Sequence, residues 1–157
     1  MKQAGFTLIE LLVTATIIVV LSGASVATYL DYRDRNAVSN DASAVAERLR
    51  TVQIKATATE VPAPCVNGVT SYVVSYGVTS LTVTATCPGI GNQAVGSLAL
   101  TLTSSVFRAA GSVTFDSRSV SASPTPLTIN ICGNKKLYLV VVSTSGNVGK
   151  PVYGGSC

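Results

Sequence analysis

Residues 11–30 of this chain contain no charged side chain, and a single carboxylate, Glu10, stands immediately before them. A run of about 20 apolar residues, at about 1.5 Å per residue, matches the roughly 30 Å hydrocarbon core of a bilayer. The length argues for an anchoring helix, because the apolar part of a cleaved signal peptide is usually about 7–15 residues. Ser22-Gly23-Ala24 supplies the small residues of an ordinary signal-peptidase site, so that reading competes. Glu10 argues against it, since an ionisable group in an apolar span is costly and marks function.

The five residues before the run, Met1-Lys2-Gln3-Ala4-Gly5, form a short basic leader, and Phe6-Thr7-Leu8-Ile9-Glu10 follows. The segment from Gly5 to Glu10 resembles the prepilin processing motif of type IV pilins and pseudopilins, and the likeness extends through about Val20. That resemblance implies cleavage by a prepilin peptidase between Gly5 and Phe6 and N-methylation of the new terminus at Phe6. It implies that Glu10 neutralises the terminal amine of a neighbouring subunit in a filament. The physics suits the role: each charge is expensive to desolvate alone, and a subunit docked out of register leaves both unpaired. The sequence departs from many pilins in having no proline near Ala27, which leaves Gly23 as the weakest point of the helix.

Beyond residue 30 the pattern turns amphipathic. Val38, Ala42, Val45, Leu49, Val52 and Ala56 recur every three or four positions, which predicts one apolar stripe continuing the helix, with an end at Glu60-Val61 ahead of Pro62 and Pro64. The remainder reads as β-structure, with strands expected at 71–75, 80–86, 97–103, 112–115, 127–132, 137–143 and 148–152. The expected organisation is a leader at 1–5, a polymerisation helix at 6–30, its amphipathic continuation at 31–60 and a β-rich head at 61–157. The fold class is α+β, a long N-terminal helix packed on an antiparallel β-sheet head.

Only 11% of residues are charged and mean hydropathy is +0.46, so the head relies on Ser, Thr, Asn and Gly for solvation. Without histidine there is no Ser–His or Cys–His pair, and Glu60 and Asp116 are the only carboxylates beyond the helix. An enzyme is not expected, nor a cofactor. The four cysteines lack CxxC spacing, so disulfides are expected and a metal site is not. Three connectivities exist. Treating each pair as opposite positions of a hairpin favours Cys65–Cys87, centred on Tyr76 beside Gly77, and Cys132–Cys157, centred just before Gly146.

Removing Lys2 with the leader leaves ten basic against seven acidic residues, the surplus falling in the C-terminal part. Lys135, Lys136 and Lys150 are candidate polyanion contacts. Residues 139–148 resemble the C-terminal hairpin of GspH/FimT-type minor pseudopilins. Some of those carry a Gly-Arg-x-Arg tail that contacts DNA, but Asn147 and Gly149 stand where both arginines would be. DNA is therefore a minor expectation. The expected partners are copies of this chain and other pilins, the prepilin peptidase and, before assembly, the inner membrane. The final location would be an extracellular pilus or a periplasmic pseudopilus.

Overall fold

The computed structural model describes residues 6–63, 65–117 and 121–157, with backbone only at Ala24 and Ala27. Gly5, on the leader side of the expected cleavage, lies outside the described residues. The chain forms two units, one ending at Asp34 and the other Arg35–Cys157. A single helix, α1 (Leu8–Thr57), runs through the boundary between them without a break at Gly23.

In the first unit α1 is exposed all round and long and apolar enough to cross a membrane. Four of its hydroxyls are satisfied within the helix. Thr14 donates to the Leu11 carbonyl, Thr16 to Val13, Ser22 to Ile18 and Ser25 to Leu21, at 2.7–3.0 Å. Back-bonding of this kind lets hydroxyl side chains sit in a lipid-facing helix without an unpaired polar group.

The second unit is built around the stripe. Val38, Ala42, Val45, Ala46, Leu49, Val52 and Ala56 are fully buried against two antiparallel sheets. The strands are β1 (Ser71–Tyr76), β2 (Ser80–Cys87), β3 (Gly91–Ala94), β4 (Leu100–Thr101), β5 (Val106–Phe107), β6 (Gly111–Asp116), β7 (Ala122–Ser123), β8 (Leu127–Gly133), β9 (Lys136–Val142) and β10 (Val152–Ser156). One sheet has the order β3-β2-β1-β6-β7, with β4 also on β2; the other is β10-β9-β8-β5. Residues alternate across each long strand, so Tyr72, Val74, Leu81, Val83, Val113, Phe115, Ile129, Ile131, Val140 and Val142 form the inner faces.

Two polar clamps fix the helix to segments that lead into the strands. The Asp41 carboxylate accepts from the Ser104 amide at 2.9 Å, the Ser105 hydroxyl at 2.8 Å and the Thr103 hydroxyl at 3.4 Å. The Arg50 guanidinium donates to the carbonyls of Val148 at 3.1 Å and Gly149 at 2.8 Å. Burial raises the Tyr72 phenol above its ordinary value of about 10, and the Glu60 carboxylate adds to the shift; the Tyr72 hydroxyl donates to the Glu60 carbonyl.

Several sequence expectations need correction. The helix ends at Thr57, short of Glu60, because the Glu60 amide bonds back to the Lys55 carbonyl and the Thr59 amide to Ala56. That pattern requires a left-handed residue, and Thr59 adopts φ 50°. A β-branched residue is strained there. Thr59→Gly should stabilise the fold by about 0.5–1 kcal/mol, the relieved strain being partly offset by glycine's larger unfolded-state freedom. Chemical denaturation of the two proteins in the same detergent checks this; an unchanged or lower midpoint would refute it.

The expected strand at 97–103 is instead a 3-10 turn, Gly96–Leu98, followed by two-residue β4. The edge of β2 pairs with β3 along Thr84–Cys87 and with β4 only at Ser80 and Leu81, and the turn spans the gap. The strand expected at 148–152 begins at Val152. Val148 makes only an isolated bridge to Val142, Pro151 has no amide to donate, and Arg50 occupies the two carbonyls between.

Candidate assembly site

The N-terminus of α1 concentrates the chain's most constrained chemistry. Thr7 caps the helix, its hydroxyl oxygen accepting from the Glu10 amide at 3.3 Å, and the Thr7 carbonyl accepts from Leu11 at 3.3 Å. Threonine three residues before glutamate is the spacing of a capping box, a signal that the sequence carried and that charge alone did not reveal. The cap satisfies one helix-end amide, that of Glu10, which would otherwise be stranded in an apolar setting. Phe6 is 82% exposed just outside the cap, and the Glu10 side chain is exposed one turn into the helix. Beyond Glu10 the next charged residue is Asp31. The arrangement presents one carboxylate, near the chain's start, on an otherwise uncharged cylinder.

Elsewhere the second unit holds two disulfides, Cys65–Cys87 with Cα atoms 5.5 Å apart and Cys132–Cys157 with 6.0 Å. The hairpin symmetry used to choose them does not describe either one. The β1–β2 register centres between Val78 and Thr79, so Cys87 lies beyond Thr86, opposite Ser71, and Cys65 reaches it from a loop. Cys132 lies on β8 opposite Leu137, and the Cys157 amide meets the Lys135 carbonyl. This second bridge therefore straddles the β8–β9 turn and ties the C-terminus to β8.

The three candidate lysines are not brought to one place. Lys135 sits in the β8–β9 turn and Lys136 opens β9, whereas Gly149, just before Lys150, bonds to Val141 near the other end of that strand. At about 3.3 Å per residue the two groups are roughly 17–20 Å apart along the strand. Of the two head carboxylates, Glu60 is engaged by the Lys55 ammonium. Among the described residues no group of three His, Cys, Asp or Glu side chains is placed to hold a metal.

Comparison with known families decides what the N-terminus is. Residues 1–26 match the family model for the prokaryotic N-terminal methylation motif. The N-terminus carries a type IV pilin-like methylation motif. The match covers residues 1–5, Phe6, Glu10 and most of the apolar run, and stops before the amphipathic stripe. No curated protein and no solved structure matches the chain. Its N-terminal helix fits an inner-membrane anchor before assembly.

Proposed function

We propose that the chain is a structural subunit of a type IV pilus or a secretion-type pseudopilus, with no enzymatic role. The observation that carries this reading is the methylation motif placed on an exposed, charge-free helix whose one early carboxylate is Glu10. In this reading the prepilin peptidase cuts between Gly5 and Phe6 and Phe6 is methylated. The subunit waits in the inner membrane and then packs through α1 with other subunits, Glu10 facing the amine of a neighbour. The head, poor in charge and tied by two disulfides, forms the filament surface.

Mass spectrometry of the chain from its native host tests the processing step. The expected N-terminal peptide begins at Phe6 and carries one added methyl group, and Gly5→Asp should abolish it. A terminus after Ala24 would refute the reading and restore that of a secreted, cleaved protein. Filament preparations separate the two assembly roles: a dominant band means a major pilin, a trace band a minor or priming subunit. DNA contact is the weaker alternative, since the separated Lys135/Lys136 and Lys150 offer little concentrated charge for phosphate neutralisation.

A further inference from the structure

The helix of the first unit is longer than the hydrocarbon core it would cross, so something must set its depth. From Glu10 to Tyr29 the helix rises by about 29 Å, against a hydrocarbon core of roughly 30 Å. Every residue between them is uncharged, and the charged series Asp31, Arg33, Asp34 begins just past Tyr29. Tyr29 and Tyr32 are 64% and 63% exposed and lie three residues apart, so they share a helix face. With Ser25 and Thr28 they line a shallow surface hollow. Tyrosine has an apolar ring and a polar tip, and it concentrates where acyl chains meet head groups.

We propose that Tyr29 and Tyr32 are an interfacial anchor that binds lipid head groups at the outer face, and that this anchor fixes Glu10 at the inner boundary of the hydrocarbon. The proposal rests on the membrane-anchored reading above. The two ends oppose each other. Glu10 draws the helix toward water on the inner side, and the tyrosine pair holds it outward. The carboxylate then stays hydrated while the subunit waits, and it is desolvated only when the subunit leaves the bilayer for a partner. The favoured occupant of the hollow is lipid because of the match between the Glu10–Tyr29 rise and the hydrocarbon thickness. A second copy of the chain is the competing outcome.

The chain has no tryptophan and four disulfide-bonded cysteines, so single reporters can be introduced cleanly. Full-length Tyr29→Trp in mixed phosphatidylcholine and phosphatidylglycerol vesicles should be quenched most by bromines near the head group. Stronger quenching by bromines at the acyl-chain ends, or emission that shifts with protein-to-lipid ratio, would overturn the anchor; the latter would assign the hollow to a second copy. Separately, a Leu11→Cys thiol should react with an impermeant maleimide from the inner side. In the Tyr29→Ala/Tyr32→Ala background that rate should rise about threefold as the helix slides inward, and an unchanged rate would refute the coupling. Labelling of Leu11→Cys and Asp34→Cys from the same side would overturn the spanning arrangement itself, and the anchor with it.

Discussion

Glu10→Ala should yield a chain that is cleaved, methylated and inserted normally but enters filaments at least about a hundredfold less often. Stripping one partner from a buried charge pair costs about 3–5 kcal/mol, which corresponds to about two to three and a half orders of magnitude in an equilibrium constant. Cleavage should survive because Glu10 is five positions beyond Gly5 and helix capping does not use its side chain. The cap is the Thr7 hydroxyl on the Glu10 backbone amide, which alanine keeps. Glu10→Gln separates the two explanations for any loss. It retains size and hydrogen bonding but not charge, so it should fail like alanine if the carboxylate pairs with an amine. Immunoblots of sheared filaments against whole-membrane fractions read the ratio. Normal filaments from Glu10→Gln would reject ion pairing and leave a hydrogen-bonding role.

The helix has two unlike halves. Among the described residues of the first unit none is buried. In the second, the stripe is spent on the molecule's own sheets, and the polar side chains between its members become clamps. Asp41 and Arg50 each bind backbone of segments far away in sequence. These segments, the turn before β5 and the loop before β10, have little regular pairing of their own. The helix supplies what the ladders do not.

Much of this was legible because period and burial coincide. The spacing of Val38, Ala42, Val45, Leu49, Val52 and Ala56 marks a buried stripe, and the alternation in β1, β2, β6, β8 and β9 marks half-buried strands. What was not legible depended on distant partners. Leu98, Leu100 and Leu102 alternate like a strand, but an edge already shared by β3 forces a turn there. Gly91–Ala94 has little β propensity and becomes a strand because β2 offers its edge, with the Asn92 side chain accepting from Thr86. The 148–152 segment has strand composition, yet Arg50 and Pro151 remove the groups a ladder needs. At the assembly site, charge pattern marked Glu10 and the cap at Thr7 became visible only with the helix start in place.

Gly133→Ala should destabilise the head by about 3 kcal/mol, the upper part of the range for overpacking a well-filled site. A Cβ built there would lie 2.4 Å from the Ser104 carbonyl oxygen, 2.8 Å from Val38 Cγ2 and 3.0 Å from Ser105 Cβ. None of these neighbours can retreat cheaply. Val38 is fully buried on the helix stripe, and Asp41, one helical turn on, holds the backbone of Ser104 and the hydroxyl of Ser105. The closest atom is backbone, so Val38→Ala should not rescue the variant. Asp41→Ala in the same chain should recover part of the loss by freeing the loop, although alone it is destabilising. That sign change distinguishes a steric lock from a general intolerance of substitution. Gly96→Ala serves as the control, since its added methyl meets nothing within 4 Å and should move the midpoint little. Thermal unfolding should show a fall of roughly 10 °C for Gly133→Ala. A midpoint within error of the parent would mean that β8 and the turn before β5 yield more readily than the Asp41 clamp implies.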